Sequence, residues 1–333
     1  MVETLRLEID SAIDELTKMK TKTVLLQMPS GLKRKAQEIA DEIRNRTGAE
    51  VLISGDSCYG ACDLPDSSLR FVDAVVQVGH SPIPSVRCSK PMIFIRAKIS
   101  IDLKKALESA VHLLKSPVGL LSTAQHLHQL QETKSMLEEK GFRVFIGPGS
   151  GRIEEDGHIL GCDYSSAKSV SDSVESFLLL GGGRFHAIGA RLLTGKPVII
   201  IDPERETAVL EDTDIDRFMR RRFAIIQKIK QAESLAIIVS SKVGQDRILL
   251  AQRLSKLASQ KNRNCSIVIM DDLSPEKLLN LGFDAYISTA CPRIALDDAD
   301  RYEKPVGTTS ELLVAIGLMD WENYKIDEWG FSI

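Results

Sequence analysis

The 333-residue chain is 43% hydrophobic, 5% aromatic and 27% charged, with a net charge of −3 at pH 7 and an isoelectric point near 6.1. This acidic balance disfavours direct nucleic-acid binding, which needs a basic surface. The apolar runs fall short of the ~18 residues that a membrane helix needs. Because the acidic, amphipathic N-terminus also lacks a signal-peptide core, we expect a cytoplasmic protein with no membrane partner.

Helices and strands alternate through the first hundred residues. Apolar residues at helical spacing predict a leading helix, and the continuous apolar run after it predicts a strand buried on both faces. This order predicts one parallel-sheet domain over residues 1–101. Its predicted elements are a helix over 4–19, strand Thr23–Ser30, helix Lys33–Arg46, strand Glu50–Ser54, a strand within Ala74–Pro84 and strand Pro91–Ala97.

The same order of elements returns twice, which indicates three similar Rossmann-like or flavodoxin-like α/β domains. The second domain is predicted over 102–205 and the third over 206–333. The second contains helix Asp102–Lys115, strand Pro117–Thr123, a helix stopped by Gly141, strand Phe142–Gly147 and two elements within Ser176–Asp202. The third contains helix Asp214–Glu233, strand Leu235–Ser241, helix Val243–Gln260, strand Ser266–Asp271, helix Pro275–Leu281 and strand Asp284–Thr289.

Each predicted domain has one cysteine in a loop of small residues near a strand end. The loops read GDSCYGACD around Cys58, LGCDYSS around Cys162 and STACPRIALDD around Cys291. Ligands of parallel α/β sheets bind at the carboxyl ends of strands, so three domains around a central site would each present one thiol. Three thiolates leave a fourth coordination position open, as a substrate-binding metal requires. One mismatch is that Cys58 and Cys162 follow the second strand of their domain, whereas Cys291 follows the third.

The other cysteines have a plainer interpretation. A single buried cysteine is most often an inert small hydrophobe, and we interpret Cys88 and Cys265 in this way. Cys62 lies four residues after Cys58. A fourth thiolate would close the open position, so a structural or accessory role is favoured for Cys62.

The three cysteine loops, together with the segments VGHSPIP (Val78–Pro84) and GGGRFHAIG (Gly181–Gly189), resemble those of the archaeal diphthamide synthases, the 2-(3-amino-3-carboxypropyl)histidine synthases. The resemblance covers essentially the whole chain. It implies a homodimer of three-domain subunits, each holding a 4Fe-4S cluster through Cys58, Cys162 and Cys291, which are also the expected catalytic residues.

The resemblance also implies the reaction, a transfer of the 3-amino-3-carboxypropyl group. S-adenosylmethionine is the substrate, and an electron from the reduced cluster cleaves its bond between sulfur and the γ-carbon. The resulting radical adds to the imidazole C2 of a histidine in translation elongation factor 2, and an external electron donor is needed. Ordinary radical enzymes of this kind carry a C-x3-C-x2-C run, but here Cys58 and Cys62 lack a third cysteine.

Three further residues are candidates for binding the methionine end of S-adenosylmethionine. Arg293 is expected to pair with the carboxylate, Asp297 with the ammonium, and Gln245 with the same amino acid moiety. Solvated loop positions remain the alternative for each of them. The turns that contain Pro29–Gly31, Thr123–His126 and Lys242–Gln245 are expected to converge near the same site, since helix N-termini suit a carboxylate.

Two other classes of function stay open at this point. The same thiols would suit zinc in a non-catalytic three-domain binding or scaffold protein. A nucleotide-binding α/β enzyme is less favoured because the chain has neither a G-x-G-x-x-G nor a Walker sequence. The Gly181–Gly183 run is interpreted as a tight turn.

Overall fold

The structure, a computed structural model, describes residues 5–202 and 208–330. The described residues pack as two units. The first comprises residues 5–159, 165–183, 196–202 and 208–209, and the second comprises residues 160–164, 184–195 and 210–330. The first unit contains two of the large parallel sheets, and the second unit contains the third.

The first sheet has the strand order β3-β2-β4-β5, all parallel. Its central strands are buried on both faces because the crossover helices cover them. The apolar stripe Ala36, Ile39, Ala40 and Ile43 of α2 packs on the sheet, as the helical spacing predicts. The elements are β1 (Arg6–Leu7), α1 (Ile9–Met19), β2 (Thr23–Gln27), α2 (Ala36–Thr47), β3 (Glu50–Ile53), β4 (Ala74–Val78), β5 (Met92–Ile95) and β6 (Ala97–Lys98), with β1 and β6 paired in a small antiparallel sheet.

The second sheet has the order β8-β7-β9-β10-β11, parallel except for β11. Helices α3 and α4 contribute their apolar faces to its core. Its elements are α3 (Leu103–Ala110), β7 (Val118–Ser122), α4 (Leu130–Glu139), β8 (Val144–Ile146), α5 (Ser165–Lys168), β9 (Ser176–Leu180), α6 (Arg184–Thr194), β10 (Val198–Ile201) and β11 (Ala208–Val209). By packing, α6 belongs to the second unit.

The third sheet has the order β13-β12-β14-β15, again parallel. Buried Arg222 of α7 donates to Glu311 of α11 at 2.6 Å, next to a core of aliphatic side chains. Its elements are α7 (Asp212–Gln231), β12 (Leu235–Ser240), α8 (Ile248–Gln260), β13 (Cys265–Met270), α9 (Pro275–Leu281), β14 (Ala285–Ser288), α10 (Pro292–Leu296), β15 (Val306–Gly307) and α11 (Thr309–Ala315).

The three sheets share one topology, which confirms the prediction of three similar parallel α/β sheets. In each, the order is second, first, third, fourth strand. A 3-10 turn follows the first strand of each sheet, at Ser30–Lys35, Ala124–Gln129 and Val243–Gln245. The predicted domain boundary after residue 101 stays a prediction, and the one after residue 205 lies outside the described residues.

One predicted helix is wrong, and the reason lies in the contacts of one side chain. The helix predicted over Val243–Gln260 is two elements, since the 3-10 turn ends at Gln245 and α8 begins at Ile248. Arg247 between them leaves helical geometry, with φ −132° and ψ 46°, because its side chain binds carbonyl groups of a neighbouring loop. The short strands β1, β6, β11 and β15 were not predicted as separate elements. Within the described ranges, no helix is long and apolar enough to cross a membrane.

Candidate active site

The Cys58 loop follows β3 in the first unit and is held at its start by a lysine. The Lys33 ammonium donates to the carbonyl oxygens of Ser54 at 3.1 Å, Gly55 at 2.5 Å and Asp56 at 2.6 Å. Further along, the backbone N–H of Tyr59 donates to the Asp63 carboxylate at 3.1 Å. These bonds fix both ends of the turn that carries Cys58.

The Cys58 sulfur is buried, with 2% of the residue exposed, and polar groups of the sheet edge surround it. Gln77 Nε2 lies 3.1 Å from the sulfur and His80 Nδ1 lies 3.7 Å from it. Burial, and then the nearby Asp63 carboxylate, raise the pKa of the Cys58 thiol to about 12. Burial lowers the pKa of His80 to about 4, so its imidazole is neutral at physiological pH. Without a metal, Cys58 is therefore a neutral thiol, and metal binding must displace its proton.

Cys62 belongs to the same turn. A Cβ added at Gly60 would lie 3.3 Å from the Cys62 sulfur, so that sulfur folds back over the turn. Cys62 is also close enough to Cys58 to contribute to the raised pKa of its thiol. The accessory role of Cys62 stays a prediction.

Cys162 lies at the tip of a tight hairpin in the second unit. Leu160 and Asp163 exchange two backbone hydrogen bonds, of 3.0 and 3.1 Å, which leave Gly161 and Cys162 as the turn. A Cβ on Gly161 would lie 2.3 Å from the Phe185 ring, so only glycine fits against that ring. This hairpin explains the Gly-Cys pair in the sequence.

The segment GGGRFHAIG packs directly under this hairpin through α6. A Cβ on Gly189 would lie 2.1 Å from the ring and hydroxyl of Tyr164, so the missing side chain makes room for the tyrosine. The Gly181–Gly183 run is a turn between β9 and α6 with positive φ at Gly181 and Gly183, as predicted. The role of Gly189 in this segment is therefore to leave space for the Tyr164 side chain.

Cys291 is the N-cap of the short helix α10 and is separated from the end of β14 by Thr289 and Ala290. Tyr164 lies close to both Cys162 and Cys291. Burial raises the pKa of Tyr164 well above its usual range, and the charges of the two cysteines act in the same direction, opposed by Arg293. The Tyr164 hydroxyl is buried and has no hydrogen-bond partner among the described residues. Cys162 and Cys291 thus both lie close to one buried phenol.

Arg247 holds the Cys291 loop in place, a role that the sequence analysis missed. Its guanidinium donates to the carbonyl oxygens of Thr289 at 2.5 Å and Ala290 at 3.3 Å. It also pairs with Asp327 at 2.8 Å, and both side chains are more than nine-tenths buried. Arg247 therefore joins the loop before Cys291 to the segment near the C-terminus.

That C-terminal segment also holds the Cys162 hairpin. The backbone N–H of Trp329 donates to the carbonyl of Cys162 at 2.8 Å, and Glu328 accepts from the N–H of Tyr164 at 3.2 Å. The two cysteine loops of the second unit are thus linked through Arg247 and residues 327–329. No periodicity in the sequence marks these contacts.

The candidate substrate-binding residues also lie in the second unit. Gln245 is buried in the 3-10 turn after β12, the strand next to β14, so it shares a sheet edge with Cys291. Arg293 and Asp297 pair with each other at 2.6 Å, and the Arg293 guanidinium lies 5.5 Å from the Phe185 ring centroid. Both charged groups would have to exchange this partner for a ligand, and their predicted role stays a prediction.

The predicted inert cysteines pack in apolar surroundings. Cys88 contacts the cluster around Leu25 and Val75, and Cys265 packs against the core of the third sheet. All six cysteines are free thiols. Among the described residues, neither unit by itself contains a group of three or more His, Cys, Asp and Glu side chains that is arranged to hold a metal.

Comparison with known proteins decides the family. The profile of the family "Putative diphthamide synthesis protein" matches residues 28–326. The chain belongs to this diphthamide synthesis family. A curated 2-(3-amino-3-carboxypropyl)histidine synthase of Pyrococcus horikoshii is 38% identical over 95% of the chain and 91% of the relative. Subunit 1 of the human 2-(3-amino-3-carboxypropyl)histidine synthase is 30% identical over 98% of the chain and 75% of the relative.

A solved structure of the diphthamide synthesis family shares the fold over nearly the whole length. The crystal structure of Dph2 from Pyrococcus horikoshii with a 4Fe-4S cluster aligns with a TM-score of 0.89 and 36% identity, over 98% of this chain and 94% of that one. The resemblance expected from the cysteine loops is therefore confirmed.

Proposed function

We propose that this chain is a 2-(3-amino-3-carboxypropyl)histidine synthase. It transfers the 3-amino-3-carboxypropyl group of S-adenosylmethionine to a histidine of a protein substrate in diphthamide biosynthesis. The observation that supports this best is the match, along 98% of the chain, to a protein whose crystal structure holds a 4Fe-4S cluster. The relatives support this transferase function over the alternative of a non-catalytic zinc or ligand-binding protein.

The cysteines of this chain have the chemistry that an iron–sulfur cluster needs. Such clusters are held by thiolates, and Cys58, Cys162 and Cys291 are free thiols on loops. An amide N–H is directed at the Cys58 sulfur, and a donor in that position stabilises a thiolate. We propose these three residues as the ligands.

The residues of the second unit would orient the substrate. When bound, a 4Fe-4S cluster with one iron free of protein ligands supplies the electron that cleaves the sulfur–γ-carbon bond. Arg293 presents a planar fork of donors suited to the methionine carboxylate. Asp297 would take the ammonium, and Gln245 adds an amide at the same sheet edge. The aromatic rings of Phe185 and Tyr164 exclude water from this side of the site.

The partners follow from the same proposal. The protein substrate is translation elongation factor 2, whose histidine is modified at the imidazole C2. The active protein is a homodimer, and an external electron donor reduces the cluster. The site of action is the cytoplasm.

The test is release of methylthioadenosine by anaerobically purified, reduced protein, together with iron and sulfide content. Wild type should bind iron and release methylthioadenosine, and Cys58→Ser, Cys162→Ser and Cys291→Ser should each lower both. Cys88→Ser is the matched control because Cys88 packs in an apolar cluster of the first unit. Zinc without iron in the purified protein would contradict the proposal.

A further inference from the structure

Two buried glutamines lie side by side where β2 and β4 end. Gln27 and Gln77 are direct partners in the parallel register of the first sheet, and they are 2% and 0% exposed. The neighbouring positions are aliphatic, as in VLLQ and AVVQV. Burying an amide among such residues costs free energy unless hydrogen bonds compensate. The two glutamines are therefore expected to have hydrogen-bond partners that stabilise them in the sheet.

The nitrogen of the Gln77 side chain faces three acceptors. Gln77 Nε2 lies 3.1 Å from Cys58 Sγ, 3.2 Å from Gln27 Oε1 and 3.4 Å from the Gly60 carbonyl oxygen. Only the NH2 end of an amide satisfies such an environment. The donor direction toward the Cys58 sulfur therefore follows from the surrounding groups.

Gln27 fixes that direction from the other side. Its own Nε2 donates to the backbone carbonyl of Asp63 at 3.0 Å, which turns its oxygen toward Gln77. Asp63 belongs to the same turn as Cys58. The two amides thus form a short chain of hydrogen bonds that starts and ends on the cysteine loop, and bonds in such a chain strengthen one another.

The other end of the Gln77 amide argues against a purely structural role. Gln77 Oε1 is buried and has no hydrogen-bond partner among the described residues. A glutamine that served only to fill the sheet would be expected to satisfy both ends, as most buried polar groups do. Gln129, a buried glutamine of the same unit, does so by bonding the N–H and the carbonyl of Ile101 at 2.8 and 2.9 Å.

We propose that Gln77 is a positioning residue that donates an N–H···S hydrogen bond to the Cys58 thiolate and raises the reduction potential of the cluster held there. This rests on the proposed function, in which Cys58 is a cluster ligand. Hydrogen bonds to the sulfurs are among the determinants of the potential of iron–sulfur clusters. Reduction adds negative charge to the cluster, so a donor stabilises the reduced form more than the oxidised form.

The size of the effect follows from how much stronger the hydrogen bond is in the reduced cluster than in the oxidised one. A difference of about 1.4 kcal/mol between the two states corresponds to a tenfold change in the equilibrium constant of reduction. For a one-electron couple, a tenfold change equals about 59 mV. Gln77→Leu should therefore reduce the ratio of reduced to oxidised cluster about tenfold at a fixed applied potential.

The experiment is an anaerobic redox titration of cluster-loaded wild type, Gln77→Leu, Gln77→Glu and the matched control Gln129→Leu, followed by electron paramagnetic resonance. Gln77→Glu keeps the shape and removes the N–H, so at a pH at which its carboxyl is ionised its potential should fall at least as far. Gln129→Leu loses two hydrogen bonds of the same unit and should titrate like wild type. In wild type labelled with 15N in glutamine side chains, the reduced cluster should show a weak 15N coupling that Gln77→Leu abolishes.

The outcomes separate this inference from the function on which it rests. Wild type without a cluster would overturn the proposed function itself. A normal potential and an intact 15N coupling in Gln77→Leu would overturn the role of Gln77 alone. If Gln77→Leu and Gln77→Glu fail to fold, the 15N coupling in labelled wild type decides, since its absence would exclude an amide donor at the cluster.

Discussion

Cys58 and the pair Cys162–Cys291 lie in contrasting surroundings. Cys58 is buried against the end of its own sheet, where neutral amide and imidazole groups contact its sulfur. Cys162 and Cys291 are partly exposed and lie close to the buried Tyr164 and to the cation of Arg293. In the first region, around Cys58, the sulfur is enclosed and its direct contacts are neutral groups. The second region, around Cys162 and Cys291, is partly exposed and carries charges that a substrate with a carboxylate and an ammonium can use.

The two regions are also held in place in different ways. The Cys58 loop is fixed by Lys33, Gln27 and Gln77, which all come from the same sheet and its first crossover. The Cys162 and Cys291 loops are fixed by Arg247 and by residues 327–329, which are far apart in the chain. We infer that the first region serves mainly to set the properties of a ligand and the second to position ligands and substrate together.

The largest expected effect is a loss of stability when Arg247, which holds the Cys291 loop, is replaced. Arg247→Met should cost about 3–5 kcal/mol of unfolding free energy, because it leaves the buried Asp327 carboxylate without its cation. Both tryptophans of the chain, Trp321 and Trp329, belong to the second unit, so urea unfolding followed by tryptophan fluorescence reports on it. Iron retention should fall in the same variant.

The control for that variant is an exposed ion pair of the same unit. Arg221 pairs with Asp300 on the surface, and Arg221→Met should change the unfolding free energy by at most about 1 kcal/mol. Equal effects of Arg247→Met and Arg221→Met would contradict the linking role of Arg247.

The charged part of the second region should determine substrate affinity. Loss of charge-assisted hydrogen bonds worth about 1.5–3 kcal/mol predicts that Arg293→Ala binds S-adenosylmethionine roughly 10- to 100-fold more weakly. Equilibrium dialysis on cluster-loaded protein measures this. Arg301→Ala, which removes an exposed arginine of the same unit, should bind normally. Unchanged affinity in Arg293→Ala would place the carboxylate elsewhere.

The Cys162 hairpin should be sensitive to a single methyl group. Gly189→Ala places a Cβ 2.1 Å from the Tyr164 ring, and such overpacking costs about 1–3 kcal/mol. Tryptophan fluorescence during urea unfolding should show the loss. Gly31→Ala, where a Cβ meets no atom within 4 Å, should leave the midpoint unchanged when unfolding is followed by circular dichroism, which reports on both units. A Gly189→Ala protein as stable as wild type would mean that the tyrosine packs differently.

The smallest expected effect is a slow reaction of the buried Cys58 thiol with an alkylating reagent. In metal-free protein, Cys58 should react with iodoacetamide at least about tenfold more slowly than Cys88 at pH 8, because burial raises the pKa of the Cys58 thiol to about 12 and the thiolate is the nucleophile. Its rate should rise with pH. Mass spectrometry of the labelled peptides measures both, and equal rates would show that Cys58 is accessible.

The raised pKa of the Cys58 thiol also determines how the stability of the metal-free protein depends on pH. The folded metal-free protein binds the Cys58 proton more tightly than the unfolded chain does. The contribution of the Cys58 proton to the free energy of unfolding is therefore complete below the unfolded pKa of 9.0 and is lost as the pH rises toward about 12.

The sequence predicted most of what depends on local pattern. Apolar runs located the central strands within a few residues, and small residues around Cys58 and Cys291 marked loops near the ends of β3 and β14. Small residues around Cys162 also marked a loop, but it lies well beyond the end of β8 at Ile146. Helical spacing identified the buried face of α2. The mismatch in cysteine position was also predicted correctly, since Cys58 follows β3, Cys162 follows β8 and Cys291 follows β14.

The rest depends on contacts between distant parts of the chain. Arg247 breaks a predicted helix because its guanidinium binds carbonyl groups more than forty residues away. Residues 327–329 have no periodic pattern, so nothing in the sequence connects them with Cys162. The glutamines in TVLLQ and AVVQV were a usable signal, because a polar residue in a strand buried on both faces needs a partner.

The most direct test of the account is the position of the iron atoms in anaerobically grown crystals, located by anomalous diffraction at the iron absorption edge. We predict one cluster with Cys58, Cys162 and Cys291 each bonded through sulfur to a different iron, and a fourth iron without a protein ligand. Iron bound by Cys62 in place of Cys58, or a cluster that lacks any one of the three sulfurs, would contradict the account.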